Sequence, residues 1–432
     1  MPSDSQEVPM SSEIEEVCII GGGFAGMNTA RLLAKWGIPS TIYTTGYGAS
    51  NLWMGTVDVL NYPGDNLLLE LAKFQVSLPA HPYANLSMEL MQTALREFYE
   101  SFPSLHLFQD EGEISNSHVL TSLGNTKLTT GVWNTIFRQF DTLTEDSICV
   151  LVEFREFANS AMHLIAQGLT EKFPGNYIVL EISLLDLFQQ MNSELVSKVQ
   201  NGYVSAKTVA TFFDTKAIHM SPLASLIKSR LVSEFPQISV DKVQYFLFPP
   251  ILGIDNSPTI FTHLASHLGV ECYEMVSLTP SILADRFLHQ VQRKLDVLAI
   301  PVHTNHTLVE LERQDNFWRL HFRTSQGKMM TITSKIVIMA VGSIFAQGIF
   351  TESFDLGNKF NTLGLEFPDS IDKQYEIVST DKNSNIYVVG AANFLFSTDL
   401  NEDDEAKDGT GLGLAIATSY KVAETLKARL RP

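Results

Sequence analysis

Val17-Cys-Ile-Ile-Gly-Gly-Gly-Phe-Ala-Gly26 is an apolar run that stops at a glycine cluster, and Met27-Asn-Thr-Ala-Arg-Leu-Leu-Ala-Lys-Trp-Gly37 follows it. The first part reads as a buried strand and the second as an amphipathic helix. Ser40-Thr-Ile-Tyr-Thr-Thr45 then reads as a second strand, which makes a βαβ unit with short connections. Gly21, Gly23 and Gly26 form GxGxxG at the strand-to-helix turn. The first glycine permits the tight turn, the second lets backbone approach a phosphate, and the third lets helix and strand pack closely. Phe24 and Ala25 place their amides at the helix start, whose N–H groups and positive dipole end suit an anion.

Adenosine-binding versions of this turn carry an Asp or Glu at the end of the second strand, where it binds ribose hydroxyls. Here the strand ends in Thr44, Thr45 and Gly46, with no carboxylate. That leaves room for FMN, whose single phosphate needs no ribose clamp. FAD is the alternative, with Thr44, Thr45 or backbone in place of the acid.

Outward from the turn, the chain alternates twice. Residues 145–298 run strand, helix, strand, helix through ICVLVEF, NYIVLEIS, VQYFLF and VECYEMV. Such alternation implies a parallel, helix-covered sheet inserted into the first domain. Residues 306–340 alternate as antiparallel strands, and NIYVVGAANFLF with the last helix should rejoin the sheet begun at residue 17. The expected architecture is therefore α/β: a Rossmann-like FAD/NAD(P)-binding domain from 15–144 with 299–432, interrupted by an α/β domain at 145–298. Residues 1–14 form a polar tail.

Bulk composition excludes several classes. A net charge of -18 leaves no basic surplus to neutralise phosphates, so no nucleic-acid partner is expected. The three cysteines, Cys18, Cys149 and Cys272, are far apart and make no CxxC, which argues against an iron–sulfur or four-cysteine zinc site. His263 and His267 have helical spacing but lack the HExxH glutamate, and no metal site is expected. No apolar run approaches the roughly 20 residues of a membrane span, so no direct membrane insertion is expected, and a cytoplasmic chain fits best.

Two further stretches favour a flavin over a nicotinamide. Ile336-Val-Ile-Met-Ala-Val-Gly342 is a strand ending in small residues, as flavoproteins commonly have beside the dinucleotide site. Ile386-Tyr-Val-Val-Gly390 is another strand ending in glycine, Asp399 follows, and Gly409-Thr-Gly411-Leu-Gly413 opens the last helix. In flavoproteins that helix points its N-terminus at the pyrimidine edge of the isoalloxazine. Ser50, Gly55 and Asp58 follow the second strand, where related flavoproteins approach the ring. His81 could take a hydroxyl proton, against the blander reading of a histidine satisfied in a turn. Arg286 could pair with a phosphate dianion, against a surface salt bridge.

In order along the chain, GASNLWMGTVDVLNYPG, LPAHPYANL, FPPILGIDNSPTIFTHLASHLGVECYE, LTPSILADRFLHQVQ and MAVGSIFAQGIF extend the likeness. Together with the glycine turn they resemble the B subunit of anaerobic glycerol-3-phosphate dehydrogenase, over about residues 15–428. That family lies within the fumarate-reductase-like flavoproteins. The resemblance implies FMN, and a cytoplasmic flavin subunit acting with a catalytic FAD-containing A subunit and an iron–sulfur C subunit. The complex would sit peripherally on the inner membrane through its partners, oxidise sn-glycerol 3-phosphate to dihydroxyacetone phosphate and pass electrons to quinone. Thr279-Pro-Ser-Ile-Leu-Ala-Asp-Arg286 departs from the family's Pro-Pro-Ser-x-x-Gly-x-Arg by a proline and a glycine. The acidic run 401–408 replaces a glycine-rich turn. Two rivals stay open: a self-sufficient FAD-dependent oxidoreductase on another hydroxy acid or ketone, and a structural subunit that has lost flavin binding.

Overall fold

A computed structural model describes residues 14–63, 66–157, 161–191, 193–200, 204–342, 371–378, 384–396 and 411–431. Along the chain the elements used below are β1 (Glu15–Ile20), α1 (Phe24–Lys35), β2 (Ser40–Tyr43), α2 (Leu67–Ser77) and α3 (Met88–Ser101). They continue with β3 (Ile148–Phe154), β4 (Asn176–Ile182), β5 (Tyr245–Phe248) and β6 (Glu271–Glu274). β7 (Val302–His303), β8 (His306–Gln314), β9 (Phe317–Thr324), β10 (Met329–Met339), β11 (Ile386–Val388) and α4 (Leu412–Leu430) complete the set.

The chain divides into two compact units: Met1–Asn51, Val57–Ser101 and Gln290–Pro432 form one, and Leu52–Thr56 with Phe102–His289 form the other. The first unit is built on a seven-stranded sheet in the order β7-β2-β1-β10-β9-β8, with β11 also on β10. β1 lies parallel between β2 and β10, with Ile20 opposite both Tyr43 and Met339. Val17, Cys18 and Ile19 are fully buried, which is why the strand reads as continuously apolar. β8, β9 and β10 form the antiparallel meander expected from 306–340. One helix layer packs α1 against α4: Trp36 meets Tyr420 edge-on at 5.8 Å, and the Ser419 hydroxyl donates to Ala25 O at 3.0 Å. On the other flank of α1, Arg31 pairs with Glu97 of α3 at 2.6 Å.

The second unit holds a four-stranded parallel sheet in the order β4-β3-β5-β6, as the strand–helix alternation predicts. Its core centres on Val150, Val152, Phe246 and Phe248. The main segment of this unit begins at Phe102, upstream of the boundary near 145 expected from that alternation. Residues 102–144 make short antiparallel pairings, such as Leu105–Leu107 with Gly131–Trp133, which alternation does not reveal. They dock on β6: Glu274 N–H donates to Thr135 O at 2.8 Å and Phe137 N–H to Glu274 O at 2.8 Å.

Candidate functional site

The glycine turn is assembled from the carboxyl ends of β1, β2 and β10 and the start of α1. Gly21 has φ +116°, and a Cβ there would lie 2.2 Å from Ala340 O, so both conformation and space demand glycine. Gly342, just beyond that carbonyl, has φ +72°. A Cβ at Gly26 would lie 2.0 Å from Gly21 O, which is the close helix–strand approach expected of the third glycine. Gly23 differs. Its nearest neighbours would be Ser50 Oγ and Tyr47 O, both 3.7 Å away, so a Cβ there would meet only ordinary van der Waals contact.

Ser50 reaches this turn: its Oγ accepts the Phe24 N–H at 2.7 Å, beside Gly23. Gly390, with φ +68°, closes against Ala25; a Cβ there would stand 2.8 Å from Ala25 Cβ. The Gly390 N–H is held by the Thr418 hydroxyl at 2.8 Å. Gly21, Gly23, Phe24, Ala25, Gly26, Ser50 and Gly390 thus meet around one helix start, as do the residues leading to Gly342.

Thr44 plays a part that the sequence did not reveal. It is buried, and its Oγ1 accepts the Gly22 N–H at 2.8 Å and the Gly46 N–H at 3.1 Å while donating to Gly46 O at 2.6 Å. Both lone pairs and the proton are engaged within the chain, so this hydroxyl has nothing left for a ribose. Thr45 is exposed. A signal existed in the sequence: a small hydroxyl residue where a carboxylate usually stands, facing a run of three glycines.

The last helix carries its glycines for a reason internal to the chain. Cβ atoms at Gly411 and Gly413 would each lie 2.8 Å from Asp58 O, and Gly413 N–H donates to that carbonyl at 3.0 Å. Backbone from 58–59 therefore crosses the start of α4 and engages one of its N–H groups. Asp58 is in this first unit, whereas Gly55 belongs to the second. Gly55 has φ +107°, and a Cβ there would meet Leu283 and Ile136 side chains at 2.7 and 2.8 Å. Its lack of a side chain is explained by that packing. Asp399 lies outside the described residues.

His81 is 1% exposed and serves as a cap: its Nδ1 accepts the Tyr83 N–H at 3.1 Å at the start of the turn Pro82–Asn85. Phe74, Tyr83 and Phe394 surround the ring at 4.8, 5.0 and 5.1 Å.

Arg286 requires a correction, because the structure does not offer it to a phosphate. It is fully buried in the second unit, with Nη1 and Nη2 on the equally buried Glu274 carboxylate, Nε on Gly253 O at 2.7 Å and Nη2 also on Leu252 O at 3.3 Å. Thr135 donates to the same carboxylate. The charge is neutralised inside the fold and its donors are engaged.

These features define an α/β unit of the dinucleotide-binding kind, with its glycine turn at the start of its first helix. Comparison with known proteins gives the particular likeness. A protein from Actinobacillus pleuropneumoniae, named as the B subunit of anaerobic glycerol-3-phosphate dehydrogenase, is 23% identical over 95% of this chain and 98% of its own length. A protein of the same name from Haemophilus influenzae is 22% identical over 96% and 99%. One from Halobacterium salinarum, named as a probable B subunit of the same enzyme, is 22% identical over 77% and 75%. The resemblance read from the sequence is thus matched, nearly end to end, by relatives carrying that name. No family model matches the chain. Among solved structures, 3-ketosteroid delta1-dehydrogenase from Sterolibacterium denitrificans aligns at 10% identity over 76% of this chain and 48% of its own, with a TM-score of 0.31. The quinol fumarate reductase of E. coli aligns at 10% identity over 77% and 33%, with a TM-score of 0.30. No helix among the described residues is long and apolar enough to cross a membrane.

Proposed function

We propose that this chain is the flavin-carrying B-type subunit of a glycerol-3-phosphate dehydrogenase complex, with FMN as its cofactor. One observation carries the reading: an added Cβ would clash at Gly21, Gly22 and Gly26 but would meet only ordinary van der Waals contact at Gly23. That leaves room for a phosphate against the N–H groups that a helix start offers. Gly23, Ala25 and Gly26 would supply backbone to it, with Ser50 beside them. The engaged Thr44 hydroxyl supports a monophosphate flavin, since the residue at the ribose-clamp position is turned inward.

A bound flavin would supply two-electron acceptance from a secondary alcohol. The chain's own part is to bind and orient it: α1 by its amides and dipole, and Gly390 by close approach to Ala25. The names of the relatives support glycerol 3-phosphate as the reductant and a partner-dependent role. The FAD-containing A subunit, the iron–sulfur C subunit and transfer to quinone follow from the family resemblance.

The test is purification without added cofactor, an absorbance spectrum across the flavin bands, and mass identification of any released nucleotide. Stoichiometric FMN supports the proposal. FAD would mean that backbone replaces the ribose clamp and would favour an independent oxidoreductase. A colourless protein that resists reconstitution would leave a structural subunit.

A further inference from the structure

Asn393 is fully buried in the first unit, and the two ends of its side-chain amide fare differently. Its Nδ2 donates to Gly390 O at 2.9 Å and to Val388 O at 3.3 Å. Its Oδ1 is equally out of contact with solvent, yet among the described residues no donor reaches it. A buried acceptor without a donor is costly, and native folds match nearly all such groups with a partner.

The chain does not let this amide correct itself. Turning it over would set Oδ1 against two carbonyl oxygens and take a donor from both, so its orientation is fixed. Those carbonyls lie at the end of β11 and in the turn after it, where Gly390 holds the backbone in place. Gly390 has φ +68°, its N–H is on the Thr418 hydroxyl at 2.8 Å, and an added Cβ would stand 2.8 Å from Ala25 Cβ. Ala25 is the second residue of α1, so the amide is clamped to backbone that packs on the start of that helix. The next side chain, Phe394, meets the buried His81 ring edge-on at 5.1 Å.

We propose that Asn393 is a cofactor-recognition residue, whose Oδ1 accepts the imide N–H of a flavin ring held at the start of α1. The inference rests on the flavin reading given above. Chemistry selects the class of ligand: an amide oxygen accepts and cannot donate, so it repels a phosphate or carboxylate and calls for an N–H. An oxidised flavin ring carries a single N–H, on its pyrimidine edge between two carbonyl groups. The sequence marks Gly390 and Asp399 on either side of this residue, but nothing in it separates Asn393 from an ordinary turn asparagine.

Titration of the full chain, freed of cofactor, with FMN and with FMN methylated on the imide nitrogen tests this by flavin fluorescence. Wild type should bind the methylated flavin at least about tenfold more weakly than FMN. Asn393→Ala should lose that preference and bind the two alike, a readout that a merely structural asparagine would not move. Should Asn393→Ala fail to fold, the imide proton of isotope-labelled FMN bound to wild type decides by magnetic resonance. Protection of that proton from exchange with water supports the bond, and exchange as fast as in free FMN overturns it. Equal affinity of wild type for the two flavins, or a preference that survives in Asn393→Ala, overturns this inference alone. A protein that takes up neither flavin overturns the flavin reading, and this inference with it.

Discussion

Thr44 Oγ1 accepts the Gly22 N–H at 2.8 Å, so the residue ending β2 is turned back onto the glycine turn instead of outward. A Cβ at Gly22 would come within 2.7 Å of Thr44 Cγ2, so the two positions are fitted to each other. In this chain the second strand shapes the turn.

Thr44→Val is therefore expected to do more damage than its size suggests. It leaves the Gly22 and Gly46 N–H groups without their acceptor, at a cost of about 1–3 kcal/mol for a buried unsatisfied group. Thr44→Ser keeps the acceptor and should stay near wild type. Urea unfolding of the two variants checks this; equal losses would mean that the methyl group, and not the hydroxyl, matters.

Gly23 and Gly26 should respond oppositely to the same substitution. Gly23→Ala adds a methyl group 3.7 Å from its nearest neighbours and should leave the melting temperature essentially unchanged while blocking flavin uptake. Gly26→Ala places a Cβ 2.0 Å from Gly21 O, so backbone must shift and the protein should be strongly destabilised. Thermal melts alongside flavin absorbance separate the two. Full flavin in Gly23→Ala would move the phosphate elsewhere.

The parts of this fold that were legible in the sequence are those written in local periodicity. The βαβ unit, the parallel alternation through β3 to β6 and the meander all follow from burial patterns that repeat within one element. Gly21 and Gly26 were legible because a turn's needs are local. Arg286 was not: its partner Glu274 is on a neighbouring strand, and only tertiary packing shows that the pair is closed off from solvent. Gly55, Gly411 and Gly413 were only partly legible for a related reason. A glycine admits close approach without saying what approaches, and here it is Leu283, Ile136 and the backbone of Asp58.

Arg286 and Glu274 should behave as a structural pair. Arg286→Met leaves a buried carboxylate uncompensated, with an expected loss of about 3–5 kcal/mol. The double change Arg286→Met with Glu274→Met removes both charges and should recover a large part of that loss. Denaturant unfolding of the single and double variants gives the coupling directly. Additive losses would show that the two side chains do not stabilise one another.

Glu97 sets an acid limit on the first unit. Burial alone would raise its pKa, but hydrogen bonds and charge from Arg31, with Lys35 added, outweigh that and bring it down to about 2. A carboxyl depressed in the folded state stabilises it above the ordinary pKa near 4.5 and loses that contribution as pH falls toward 2. Glu97→Gln should thus be less stable than wild type at neutral pH, because Arg31 is left buried without its charge partner between α1 and α3. The gap should close as both proteins are acidified, since wild-type Glu97 then becomes neutral too. Unfolding midpoints of both proteins between pH 7 and 2 would show the gap narrowing below about 4.5; a gap that stays constant would mean that the Arg31 contact contributes through shape and hydrogen bonding, not through charge.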